Sequence, residues 1–243
     1  MKIFVQKPGQ KETTSYSLQK VKTELLAGGI REDDLAWCEG MGEWAPLRQV
    51  LALAETVPQL ILPADVLKRQ ARLTTAELAA QCFKLATSFE HSYTTMLQNL
   101  QQRDAQNNVD LGRVWIELIC LGAFVVNYAL FSALKHGPRN EVLSLYRDQL
   151  KQISIAGVGD SYKTLSTRIY FYSLVVRRNA ASPQDLPRQI GKRFAAFCGA
   201  EDSKSLIRIG IEVFEQVHEY VAQWIAEIGA DNIVAAEASD EVA

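Results

Sequence analysis

Glu117 and Asn127 are the polar side chains that stand out inside the most apolar stretch of the chain, VWIELICLGAFVVNYALFSAL, residues 114–134. A carboxylate enclosed by apolar neighbours either gains a partner or has its pKa raised, and the second outcome is one origin of a catalytic acid. Ten residues is close to three helical turns, so Asn127 returns near the face of Glu117 and the pair defines a candidate polar pocket. The competing expectation is a structural hydrogen-bonded pair, or an arginine partner such as Arg168 supplied by a facing helix. No reaction can be written from either. The sequence has no HExxH, no paired ExxH metal ligands and no nucleophile elbow, and AGVGDSYK lacks the lysine spacing of a phosphate loop. The expectation is a protein that is not an enzyme, with no cofactor and no metal.

Cysteine and histidine usage points the same way. Cys38, Cys82, Cys120 and Cys198 are dispersed without CxxC spacing, and His91, His136 and His218 are equally scattered. They read as reduced, mostly buried thiols. The N-terminus MKIFVQKPGQ has no apolar run after its lysine and so does not resemble a secretory signal, which suggests a cytoplasmic protein. Residues 114–134 approach the length of a membrane span, but Glu117 and Asn127 are costly in lipid, so a helix buried at the centre of a bundle is the better expectation.

Charge is balanced overall, at a formal −2, yet it is unevenly distributed. Residues 161–200 hold seven bases, Lys163, Arg168, Arg177, Arg178, Arg188, Lys192 and Arg193, against Asp185 as the single acid. Residues 201–243 hold ten acids and two bases. Two readings follow: Arg168, Arg177, Arg178, Arg188, Lys192 and Arg193 bind an anion such as nucleic acid or lipid head groups, or they meet the acidic final helix and tail of the same chain. The contiguous Ile169, Tyr170, Phe171 and Tyr172 look like core.

These residues must be positioned by two different kinds of structure. Up to about residue 50 the segments are short. MKIFVQ alternates like a half-buried strand, KPGQK is turn chemistry, and Leu18, Val21 and Leu25 mark a short helix that ends at Gly28 and Gly29. DDLAWCEG is a strand and a turn, and Pro46 introduces a last helical segment. Beyond TVPQLILPA the pattern is helical throughout. One long helix is expected from 65 to about 102, a second from about 110 to 135 ended by His136-Gly137-Pro138, then one through Leu143 and Ile153, then 161–178, 189–197 and a last one through Leu206 to Ile228. The expected organisation is a small α+β module at 1–54, a linker at 55–63, an all-α helical bundle of about six helices at 64–229, and a disordered acidic tail at 230–243.

The N-terminal motif is more specific. A helix ending in Gly-x-Ile, then Asp-x-Leu-x-Trp and Glu-Gly-Met-x-x-Trp-x-Pro, carried here by Leu25, Gly28, Ile30, Asp33, Leu35, Trp37, Glu39, Gly40, Met41, Trp44 and Pro46, resembles the bacterial variety of the GYF domain. That resemblance implies a small adaptor module that docks proline-rich segments on aromatic side chains, since a polyproline helix is already extended and loses little entropy on binding. The Gly-Tyr-Phe triplet of the founding members falls on Gly28, Gly29 and Ile30 in this chain. The candidate peptide-binding residues are therefore Phe4, Tyr16, Trp37, Met41 and Trp44, with Trp37 expected to be the more buried ring and Trp44 the more exposed. The resulting expectation is a protein-interaction protein whose partner presents an extended or proline-rich segment.

Overall fold

A computed structural model describes residues 2–7, 9, 13–38, 41, 43–55, 72–87, 97, 100 and 109–235. The chain opens with a four-stranded antiparallel sheet in the order β2-β1-β3-β4, made of β1 (Lys2–Gln6), β2 (Thr13–Ser17), β3 (Leu35–Cys38) and β4 (Ala45–Pro46). Helices α1 (Leu18–Leu26) and α2 (Leu47–Glu55) pack against it.

Strand register decides which side chains this small module can spare. Ile3 lies opposite Tyr16 and Cys38, and Val5 lies opposite Thr14 and Ala36. Ile3, Val5, Ala36 and Cys38 are buried with Val21 of α1 and with Leu47 and Val50 of α2. Because successive strand residues alternate faces, Phe4 and Trp37, paired across β1 and β3, belong to the opposite side of the sheet.

Two local devices set the entry into that core. Gly28, at φ +72°, ends α1 in a left-handed conformation that a Cβ would strain. Asp34 is buried. It accepts from the Arg31 backbone N–H through Oδ2 at 2.8 Å, and its carbonyl accepts from Leu47 N–H at 2.8 Å, tying the loop to the start of α2. Its neighbour Asp33 forms only an exposed pair with Arg48, at 3.2 Å.

The remainder is mostly helical: α3 (Thr75–Thr87), α4 (Leu111–Ala133), α5 (His136–Leu150), α6 (Ser161–Arg178), α7 (Leu186–Phe197) and α8 (Lys204–Ile228). Helix α4 packs against all five of the others, which explains why it is apolar nearly all round. It is the one helix among the described residues long and apolar enough to cross a membrane, and two thirds of its apolar window is buried inside the protein. All four cysteines are free and buried, and burial pushes the Cys120 thiol up to about 12.

Four boundaries differ from expectation. Residues 73–74 are not helical. Leu73–Thr74 is a short strand, β5, parallel to β6 (Ile233–Val234), so the first part of the expected acidic tail is ordered and pairs with the start of the helical region. Helix α3 begins at Thr75 because Thr74 and Glu77 form a reciprocal capping box, with Thr74 N–H donating to Glu77 Oε2 at 2.8 Å and Glu77 N–H to Thr74 Oγ1 at 3.1 Å. Gly137 and Pro138 do not stop α4. The chain turns at Leu134–Lys135 and α5 opens at His136, placing the proline in a first turn whose N–H groups have no intrahelical acceptor anyway. Helix α7 starts three residues earlier than its apolar period suggests, with Pro187 in its first turn after a single 3-10 turn over Pro183–Asp185. The expected linker from 56 onward, the start of the long helix at 65–71, most of 88–108 and the tail from 236 lie outside the described residues.

Candidate functional site

Part of the outward face of the sheet borders a cleft rather than bulk solvent. Phe4 and Trp37, half-buried with ring centroids 5.7 Å apart, line a cleft of about 400 Å³ whose second wall comes from the helical region. That wall has two parts. The turn from Pro183 into α7 supplies Pro183, Gln184, Asp185, Pro187 and Arg188, and α8 supplies Arg208, Ile211, Glu212 and Glu215. The α8 residues are spaced i, i+3, i+4 and i+7, one face of one helix.

Helix α7 is held close to α8 by two glycines. A Cβ at Gly210 would lie 2.8 Å from the Cα of Gly191 and 2.9 Å from the Cβ of Phe194, and one at Gly191 would run into the Ile207 carbonyl oxygen. This close crossing fixes where the Pro183–Arg188 turn stands relative to the α8 face. The Trp37 ring is held as well, its Nε1–H donating to the Met41 carbonyl at 2.9 Å.

The cleft combines apolar rings and prolines with a charged floor. Glu212 is buried, and that desolvation pushes its carboxyl up to about 7 against the opposing pull of the Arg208 guanidinium. The Arg208 Nε contact is long, at 3.4 Å, so burial wins. A folded-state pKa above the unfolded one means the native protein takes up the proton more readily. Stability is therefore greatest below the ordinary glutamate range and declines as pH rises from about 4.5 through about 7. Glu212→Gln removes this decline. Thermal denaturation across that window should show the variant gaining on the parent by on the order of 1–3 kcal/mol by pH 8, with little difference at pH 4.5; a gap independent of pH contradicts the assignment.

The sequence-derived candidates separate in space. Phe4 and Trp37 come together in the cleft. Tyr16 sits on the core face opposite Ile3, Met41 contributes the carbonyl under Trp37, and Trp44 is 41% exposed outside the cleft lining. Trp37 is the more buried of the two rings and Trp44 the more exposed, in the expected order, and it is Trp37 that lines the cleft. Its second wall was missed, because ASPQDLPRQ reads in sequence as a helix break and the α8 face as ordinary amphipathic surface.

Glu117 is not a free carboxylate beside Asn127, which is half-buried. Glu117, 2% exposed, is clamped by Arg168, whose Nε donates to Oε1 and Oε2 at 2.9 and 2.8 Å and whose Nη2 donates to Oε1 at 2.6 Å. The guanidinium also lies over the Phe197 ring, 4.1 Å from its centroid. This is the structural ion pair, and it removes Arg168 from any anion-binding surface. Arg188 lies in the cleft, Arg177, Arg178 and Lys192 are exposed, and Arg193 is half-buried above Phe197 at 5.7 Å. No group of three or more His, Cys, Asp or Glu side chains suited to a metal occurs among the described residues.

Searches of curated proteins and of solved structures gave no match. A family model does match: GYF domain 2, over residues 4–53, the span that contains most of the sheet, α1 and most of α2. Domains of that family are generally protein-interaction modules and not catalytic. The N-terminal module of this chain, residues 4–53, belongs to the GYF domain 2 family.

Proposed function

We propose that the protein is an interaction protein that docks an extended, proline-containing segment of a partner in the cleft between its GYF domain and its helical region. The observation that carries this reading is the presentation of Phe4 and Trp37 on the sheet face left uncovered by α1 and α2, directly lining the cleft. Flat rings suit a polyproline helix, which is already stiff and apolar along its edges. A volume of about 400 Å³ is that of an ordinary ligand site and takes a few residues of such a segment rather than a folded domain.

The two walls divide the work. Rings and prolines provide apolar contact. Asp185, Glu212, Arg188 and Arg208 at the far wall select the charges that flank the docked residues. Calorimetric titration of the full chain with a proline-rich peptide tests the reading. Trp37→Ala should weaken binding by more than about tenfold, the loss of one aromatic anchor. Trp44→Ala should leave it within about twofold. Equal losses in both variants, or none in either, would overturn the assignment to the cleft.

A further inference from the structure

Helix α6 contains no aspartate or glutamate in its eighteen residues, yet it carries Lys163, Arg168, Arg177 and Arg178. Only Arg168 is neutralised, by Glu117. Lys163, Arg177 and Arg178 are exposed and have no ion-pair partner among the described residues, and the same holds for Lys192 on the adjoining α7. Among the described residues helix α6 packs against α4 and α7 rather than against the acidic α8; the acidic residues from 236 onward lie outside the described residues.

Aromatic rings lie among these charges. Tyr170 is 59% and Phe171 38% exposed, correcting the expectation that the IYFY run is core. Four contiguous residues span some 300° of a helix and cannot all turn inward; Tyr172 takes the buried direction. Phe171 meets the Phe197 ring edge-on at 6.0 Å, and Arg193 lies above that ring. Tyr170, Lys163 and Arg177 share one face, seven residues apart on either side of the tyrosine.

We propose that this α6/α7 face binds single-stranded nucleic acid, with Lys163, Arg177, Arg178 and Lys192 on phosphates and Tyr170 and Phe171 as stacking platforms. Alternation of cations with flat rings is the composition that such binding needs. Helix α6 is about 27 Å long, the reach of roughly eight nucleotides at the stacked spacing of about 3.4 Å. A lipid surface suits the face less well, because no exposed leucine, isoleucine or valine of α6 adds to the two rings the continuous apolar strip an interfacial helix buries. The face is separate from the cleft, so this proposal stands or falls independently of peptide docking.

Fluorescence anisotropy of the full chain with a labelled oligouridine of about twelve nucleotides tests it. Affinity should fall roughly 50-fold between 50 and 200 mM salt, as about four released counterions require. Arg177→Glu with Arg178→Glu should weaken binding by more than about tenfold at low salt. Tyr170→Ala should weaken it by at least about fivefold, while the melting temperature of this exposed-site variant stays unchanged. No binding at low salt overturns the proposal. So does binding insensitive to Tyr170→Ala, which would mark a generic polyanion surface, or a preference for duplex or for phosphatidylserine vesicles. Salt-sensitive self-association that displaces the oligonucleotide would assign the face to the acidic α8 of a second copy and overturn it equally.

Discussion

Arg168→Met should destabilise the protein by about 3–5 kcal/mol, since it strands the Glu117 carboxylate, 2% exposed, without its clamp. The removed group also stacks on Phe197, so packing is lost with the charge. The opposite truncation should be milder. In Glu117→Gln the guanidinium keeps an amide acceptor, and the Arg168 side chain is 22% exposed, close enough to water to recover part of its solvation. The double variant Glu117→Gln with Arg168→Met leaves no buried charge and should recover at least half of the loss. Urea denaturation of the three variants decides the matter. If Arg168→Met costs no more than Glu117→Gln, the pair is not what holds α4 and α6 together at this level.

Gly210→Ala should cost about 1–3 kcal/mol, although in an isolated helix the same change would gain up to about 1 kcal/mol. The sign is decided by what the methyl meets. At Gly210 it meets the Gly191 Cα at 2.8 Å and the Phe194 Cβ at 2.9 Å, atoms fixed by α7 itself. Helix α7 must move outward, and the Pro183–Arg188 turn moves with it. The variant should therefore lose peptide affinity as well as melting temperature. Gly137→Ala, in the first turn of α5, serves as the control, because nothing lies within 4 Å of a Cβ there: it should leave peptide affinity within error and the melting temperature unchanged or slightly raised. Loss of stability with unaltered peptide binding would detach the α7/α8 crossing from the geometry of the cleft.

Local chemistry explains which parts of this architecture could be read in advance. Helix α6 has its predicted limits because Asp160 caps it and an apolar period runs through it. The β1–β2 hairpin and the short helix ending at Gly28 follow from alternation and from turn residues whose effect is local. The start of α3 was also available, as Thr-x-x-Glu from Thr74 to Glu77, but helical periodicity upstream masked it. The parallel pairing of Leu73–Thr74 with Ile233–Val234 was not available. It joins residues 160 apart through two residues on each side, too few to show a period.

The site was legible by halves. Trp37 could be picked out by its motif, and its direction followed once β1–β3 register was known. The facing wall depends on which helices stand across the cleft from the GYF domain, a long-range outcome with no local sequence signal. Arg168 as the partner of Glu117 lay between these cases: chemistry demanded a cation for that carboxylate, and only packing could choose which of the available bases it would be.

One bound peptide should touch both walls of the cleft. Hydrogen exchange of the full chain with and without a saturating proline-rich peptide tests it most directly. New protection is expected in β1 and β3 around Phe4 and Trp37 together with protection of the 184–188 turn and α7 start, both absent from Trp37→Ala at the same peptide concentration. Protection confined to the sheet would contradict a composite site. Protection around Trp44 with β1 unchanged would contradict the choice of face.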